Sequence, residues 1–491
     1  MRLADLADLR SDIRHWRRGR ANARLGEVLQ DAYVALFATL MFGSMLVNVV
    51  VNVGRISDDL CVDAGCREAR SLLPWIGAGL LLVAALALAR LFGPVFVTPA
   101  VGSWLLPAPV DRAALLRPRL LGELASALLG GALVAAGTAI LAGFGAGTVA
   151  VFALLVGLLA VAVVGFAART QGLRLDPARL LTWLLVTLVW LSLASLAARR
   201  APLLATPQHL ATGWWAALLL ALVLALLMPL LALAALGRLR QRDVSPGGSL
   251  APGLSGALAT LDLALLYDVL LAHRWHRHEA VRPRRGGPAG LGALVWTDLV
   301  RLRRTPQSVV LLVGAVVVPY AAEASGAGRV TVLVAALVGF LAVLPLLGAL
   351  RLVTRTPGLA RMLPFPTAST RHATVVVPGG LAVLLGLACG PALDRSLELP
   401  LSAAMFCGVA VGLSMLASAV RWVTGRPPDY NRPLVSTPAG GVPTNLYGSV
   451  VRGFDVLLLT TAPLLLAPTI TGAELSAFLS LAVLAYLTGR K

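Results

Sequence analysis

Apolar runs of about 18 to 24 residues recur along this chain, each long enough to cross ~30 Å of hydrocarbon as a helix. They are rich in Leu, Ala, Val and Gly and lack the strict alternation of a membrane barrel. A span in lipid must satisfy its own backbone hydrogen bonds, so the runs read as helices. Only 13% of residues are charged and 58% are hydrophobic, far from the soluble balance. The N-terminus is long, charged and amphipathic before the first run, so no cleavable signal peptide is expected. The fold class is an all-α polytopic membrane protein.

Twelve spans are expected. Six lie at 32–54, 72–92, 121–143, 147–168, 180–198 and 213–236; six more lie at 308–324, 330–350, 374–391, 400–420, 454–470 and 475–489. With both termini cytoplasmic, the outward loops hold Arg55, Arg67, Arg70, Arg199, Arg200, Arg329 and Arg395. The other 35 of the 42 basic residues then face the cytoplasm, as the positive-inside rule demands. That rule also accounts for the net charge of +19, so nucleic acid is not an expected partner. The chain is placed in a bacterial cytoplasmic (inner) membrane. Residues 250–272 are apolar but contain Asp262 and Asp268, which are costly at mid-membrane. They read as a cytoplasmic or interfacial helix leading into HRWHRHEAVRPRRGG.

The chain divides into a first six-helix half (1–237), a basic cytoplasmic linker (238–290) and a second six-helix half (291–491). Each half opens on an amphipathic segment suited to the interface. The first, within 2–30, spaces Leu3, Leu6, Leu9, Ile13 and Trp16 helically; the second uses Leu291, Leu294, Val295, Leu299 and Leu302. Each half then interrupts itself between its second and third spans. The first interruption (98–120) reads SWLLPAPVDRAALLRPRL from Ser103, and the second (354–376) reads RMLPFPTASTRHATVVV from Arg361. Thr98-Pro99 corresponds to Thr356-Pro357, Leu106-Pro107-Ala108-Pro109 to Leu363-Pro364-Phe365-Pro366, and Arg112 to Arg371. Proline removes an amide donor and biases its predecessor away from helix, so each pair stops a helix. A short new helix is expected after each motif: Val110 to Leu116, capped by Asp111, and Thr370 to Val376, capped by Ser369 or Thr370. Because each half starts in the cytoplasm, the halves would form a parallel repeat.

An interfacial helix, six spans and a cytoplasmic L-P-x-P…R loop resemble the plan of ABC-2-type permeases, the membrane subunits of ATP-driven exporters. The segment DLVRLRRTPQ (298–307) resembles the basic, proline-ended helix that enters a permease's first span. The resemblance implies that a coupling helix in each loop docks on an ATP-binding subunit. The docking residues would be Leu106, Pro107, Pro109, Arg112, Leu363, Pro364, Pro366 and Arg371. The chain departs from the family pattern in fusing two six-span units. No GxxxxGK[ST] occurs, so ATP and Mg would belong to a separate ABC ATPase, present in two copies, and this chain is not itself expected to be an enzyme.

Cys61 and Cys66 lie in an outward loop, where a disulfide is favoured over a metal site. Cys389 and Cys407 fall within spans and read as packing residues. His273, His276 and His278 alternate with arginines, a basic surface for anionic lipid or a partner and a poor metal site. Asn48 and Asn52 share one face of the first span, where they would bond to a neighbouring helix or line a substrate path. Glu323 with Tyr320 poses the same choice near the outer end of the seventh span. Two other functions compete with an exporter of hydrophobic or amphipathic cargo: an ion-coupled secondary transporter, and a membrane scaffold that transports nothing.

Overall fold

The computed structural model describes residues 15, 25–61, 64–109, 111–173, 176–199, 212–259, 262–276, 287–426, 435–437, 440–442, 451–489. The expected N-terminal interfacial stripe, Leu3 to Trp16, lies outside them, as do Val110, Arg200 and His278. The described chain is helical apart from a small hairpin, β1 (Val435–Thr437) paired antiparallel with β2 (Gly440–Val442). It packs as two compact units. One comprises residues 1–192 and 202–252, the other residues 193–201 and 253–491.

The first unit is built from α1 (Leu25–Leu60), α2 (Ala64–Phe92), α3 (Arg112–Leu141), α4 (Ala146–Thr170), most of α5 (Pro177–Ala197), α6 (Thr212–Ala235) and the start of α7 (Gln241–Ala259). One core joins Leu106, Leu116, Leu120 and Leu124 to Val161, Val164, Ala225 and Leu236. A second cluster stacks Trp75 on Trp214, with Phe152 set edge-on to both. Leu219, Leu226 and Leu230 of α6 stay exposed. An exposed leucine face of this kind is the surface a helix turns to lipid.

The second unit holds the rest of α7, α8 (Leu263–His276), α9 (Gly292–Arg304), α10 (Pro306–Ala315), α11 (Val317–Ala324), α12 (Val330–Val343), α13 (Gly348–Arg355), α14 (Pro357–Met362), α15 (Thr367–Leu397), α16 (Leu401–Thr424), α17 (Phe454–Leu466) and α18 (Ile470–Gly489). Its centre is α16, which buries Ala403, Cys407, Val411, Met415 and Val420. Helices α15 and α16 cross on glycine. A Cβ on Gly386 would lie 2.1 Å from the Gly408 carbonyl oxygen, and one on Gly412 would lie 2.6 Å from that of Ala382. Gly408-x-x-x-Gly412 thus lets two backbones touch, as small-residue motifs do in membranes.

Among the described residues, ten helical stretches are long and apolar enough to span a membrane: Ala64–Phe92, Arg112–Leu141, Ala146–Thr170, Pro177–Ala197, Trp214–Arg238, Pro306–Ala324, Val330–Arg355, Thr367–Leu397, Leu401–Thr424 and Ile470–Gly489. They match ten of the twelve expected spans, and the chain is a multi-pass membrane protein. The expected span at 32–54 lies inside α1, where the apolar stretch among the described residues is Gly43–Asn52. The span expected at 454–470 is a 13-residue helix, about 20 Å at 1.5 Å per residue. It stops because Pro468 follows Ala467, which is extended at φ −128°, ψ 91°.

Residues 250–272 do not form one helix. Asp262 ends the run by accepting from the amides of Ala264 (3.0 Å) and Leu265 (3.1 Å), which caps α8. The stretch expected to be a linker therefore opens with two packed helices, α7 and α8.

Candidate functional site

In the first unit the chain leaves α2 at Gly93, whose φ of +74° favours glycine. The next residues are held rigidly. Gln171 donates to Val95 O (2.9 Å) and Asp243 O (2.8 Å) and accepts from Val95 N (3.2 Å). Arg119 donates to Phe96 O at 3.1 Å, and Val97 N to Val244 O at 3.2 Å. Helix α7 crosses this segment so closely that Cβ atoms on Gly247 and Gly248 would lie 1.8 and 1.6 Å from the carbonyl oxygens of Phe92 and Val97. Nothing in the sequence reading singled out Gln171 or this glycine pair. The doublet in SPGGS was the available signal.

After Thr98-Pro99 comes a short π-helical turn, Val101–Leu105, and then the motif. Leu106 is buried in the core, and Pro107 and Pro109 are exposed. Asp111 then caps α3, its Oδ1 accepting from Ala113 N at 2.9 Å, and Arg112 is exposed. A cavity of about 610 Å³ opens beside this capped end, between Asp111, Arg117, Pro118 and Leu121 and the end of α6 at Leu233 and Leu236.

The second unit repeats the local order. Thr356 precedes Pro357, which starts α14; Leu363 and Pro364 end it, and Pro366 leads into α15. Leu363 is half-buried, Pro364 and Pro366 are exposed, and Arg371 is half-buried. Thr370 is 1% exposed, its hydroxyl bonded to Pro366 O at 3.1 Å.

Two expectations need correction. No separate short helix follows either motif: Arg112–Leu141 and Thr367–Leu397 are continuous. Pro118 and Pro378 sit inside these helices, which other helices and local adjustment tolerate in a membrane bundle. The short helical piece instead precedes the motif in both loops. The cap at the second loop is also different, because Pro366 occupies the N-cap and neither Ser369 nor Thr370 does.

The short pieces carry a feature that the sequence reading did not select. Trp104 is 80% exposed and Met362 is 82% exposed, and both lie outside the spanning stretches. Each LP-x-P turn thus presents a large apolar side chain between rigid prolines.

The remaining candidates are placed as follows. Asn52 donates to Asn48 Oδ1 at 2.5 Å, so the two amides engage each other on an exposed face. Cys61 and Cys66 form a disulfide with their Cα atoms 5.5 Å apart, and Cys389 and Cys407 are buried thiols. Glu323 is buried, paired with Arg199 at 2.6 Å and Arg395 at 3.9 Å, while Tyr320 donates to Ala388 O at 2.8 Å. His273 is half-buried near the end of α8, which His276 closes.

Asp298, on the amphipathic helix α9, is buried beside a cavity of about 10 Å³ that Arg301, Thr305, Leu346 and Pro378 also line. Arg301 lies 3.5 Å from its Oδ1, while Oδ2 has no hydrogen-bond partner among the described residues. Burial, only partly opposed by Arg301, pushes the Asp298 carboxyl up to about 6.

Taken together, the ten apolar helices define the chain as a polytopic α-helical membrane protein. Within that class it belongs to a family of unknown function, DUF6297, whose profile matches residues 66–433 and so includes both LP-x-P loops. No curated protein matches the chain.

Proposed function

We propose that this protein is the transmembrane permease subunit of an ATP-driven ABC exporter. It would have twelve spans in two parallel six-helix halves, cytoplasmic termini, and a place in the bacterial inner membrane. The ATP-binding subunits, with their ATP and Mg, are separate chains that dock on the two LP-x-P loops. The observation that carries this reading is the shared local structure of the loops. In both, Thr-Pro starts a short helical piece, an exposed apolar side chain follows, and two prolines turn the chain into a long spanning helix. A rigid piece fixed to the end of a long helix transmits a push from a soluble partner better than a flexible loop would.

Exposure supports a contact through Trp104, Pro107, Pro109 and Arg112 in one loop and Met362, Pro364 and Pro366 in the other. Burying Trp104 and Met362 in a partner contributes roughly 1.5–3 kcal/mol each. Leu106 serves instead as the anchor that ties its loop to the core. Arg371, half-buried, has less surface to offer than Arg112. The apolar composition of the spans suits a hydrophobic or amphipathic cargo.

The test is charge reversal. Arg112→Glu should leave membrane abundance unchanged, because the residue is exposed at a capped helix start, and should weaken copurification of the ATPase and ATP-dependent transport. Full partner binding and transport in Arg112→Glu and Met362→Glu would leave the loops as interfacial turns.

One observation favours a proton-coupled secondary transporter instead: the buried Asp298, whose Oδ2 has no hydrogen-bond partner among the described residues and whose carboxyl burial pushes up to about 6. Flux driven by a pH gradient without nucleotide, and lost in Asp298→Asn, would select that reading over the exporter.

A further inference from the structure

Four arginines gather at one end of the second unit, on the side that carries its LP-x-P loop. Arg351 and Arg355 lie one turn apart on α13, Arg421 lies in the last turn of α16, and Arg452 lies just before α17. They come from segments far apart in sequence. Burial lowers the pKa of Arg452, and the neighbouring charges of Arg421 and Arg355 lower it further, while Asp262 and Asp455 oppose them.

The carboxylates in this cluster are already engaged. Asp262 caps α8. Asp268 accepts from Arg351 Nε at 2.5 Å. Asp455 pairs with Arg421 at 3.4 Å and accepts from Gly453 N at 2.7 Å and Val456 N at 2.9 Å. Among the described residues, four guanidinium groups thus face three carboxylates. The donor count is more telling. Arg351 Nη1, Arg355 Nε and Arg452 Nη1 are each buried without an acceptor among the described residues.

The surroundings hold these groups in place. The Arg351 guanidinium, 4% exposed, lies 4.8 Å from the Tyr267 ring centroid and 5.7 Å from that of Trp422, and it donates to Ala264 O at 2.9 Å. Arg452 runs across Gly425, where a Cβ would lie 2.3 Å from its Cδ. Carbonyls at the ends of α13 and α16 favour positive charge there, which accounts for the presence of arginine. They leave the three N–H groups without an acceptor among the described residues all the same, and buried donors are normally paired.

We propose that Arg351, Arg355 and Arg452 form a binding site for a phosphate-class oxyanion. A tetrahedral phosphate offers several acceptor oxygens at once, and guanidinium donors in a fixed fork match it better than ammonium groups would. The site lies where the apolar helical stretches Val330–Arg355 and Leu401–Thr424 end, and the end of a spanning helix is the level of lipid headgroups. The phosphate can belong to an anionic phospholipid or be free in solution; both present the same oxygens. This inference does not rest on the exporter reading.

The test uses the full chain, delipidated in detergent, and follows thermal unfolding with inorganic phosphate, with potassium chloride at matched ionic strength, and after transfer to phosphatidylglycerol or phosphatidylcholine nanodiscs. Wild type should be stabilised by phosphate over chloride if the free ion is the ligand, or by phosphatidylglycerol over phosphatidylcholine if a lipid headgroup is. Arg355→Gln, a substitution at a half-buried position on a short helix, should weaken the response roughly tenfold, the value of one charge-assisted donor. Arg355→Lys should not restore it fully, because the directed Nε donor is lost. Equal responses to phosphate and chloride together with equal responses to the two lipids would overturn the site, as would an undiminished response in Arg355→Gln.

Discussion

Gly386→Ala should destabilise the second unit, although alanine is the better helix former. Ordinary van der Waals contact begins at 3.4 Å, and the new Cβ would sit 2.1 Å from Gly408 O, 2.8 Å from Gly412 N and 2.9 Å from Gly412 Cα. The obstructing atoms are backbone, so no rotamer change relieves them. The α15 and α16 axes would have to part by up to about 1.3 Å, the difference between those contacts. A radial gap near 1 Å forfeits roughly a quarter to a half of each dispersion contact. Here the loss falls on the layer of Ala382, Leu385 and Cys389 against Cys407, Val411 and Met415. Overpacking of this kind costs about 1–3 kcal/mol. Gly380→Ala is the matched control, on the same helix with nothing within 4 Å of its Cβ. It should be neutral or gain up to about 1 kcal/mol from helix propensity. Thermal unfolding of both variants in detergent, followed by tryptophan fluorescence, gives the comparison. Gly386→Ala melting at or above Gly380→Ala would refute the close backbone crossing.

Asp298 supplies a pH-dependent prediction. Its carboxyl titrates at about 6 when folded and near 3.8 when unfolded, so the unfolded chain releases its proton first and stability falls as pH rises from 4 to 7. Asp298→Asn removes that loss, a gain of about 3 kcal/mol at pH 8 and roughly half that at pH 5 from 1.36 kcal/mol per pKa unit; a gain independent of pH would place the carboxyl outside this description. Cys61→Ser should cost about 2 kcal/mol, the loop-closure value for so short a loop. Peptide mass spectrometry without reduction should show Cys61 linked to Cys66, and two free thiols in that experiment would contradict the linkage.

Legibility in the sequence followed physical range. Apolar length is a local property, so ten spans were readable, although the helices Ala64–Phe92, Arg112–Leu141 and Thr367–Leu397 begin seven to nine residues before the expected spans. At 454–470 the described helix is shorter than the apolar run, because Pro468 ends it early, a signal present in the sequence but outweighed by that run. The LP-x-P stops were equally local. Their consequence was not, since proline inside a membrane helix can be tolerated and Pro118 and Pro378 did not separate a short helix from its span. Trp104 and Met362 were visible as letters, but exposure depends on what packs nearby. Gly408-x-x-x-Gly412 was a readable packing motif. The Arg351–Arg355–Arg452 cluster had no linear signature, because folding assembles it from separate segments around Asp262, Trp422 and Gly425.

The proposed contact joins the exposed tips of the two LP-x-P loops to an ATPase. The most direct measurement places a photo-crosslinking amino acid at Trp104, at Met362, and at the exposed span residue Leu384 as a control, in cells that carry the native complement of partners. Crosslinking at Trp104 and Met362 should yield adducts that mass spectrometry assigns to a polypeptide with a P-loop nucleotide-binding site, and Leu384 should yield none. Lipid adducts alone at both loop positions, or the same protein adduct at all three, would contradict the account.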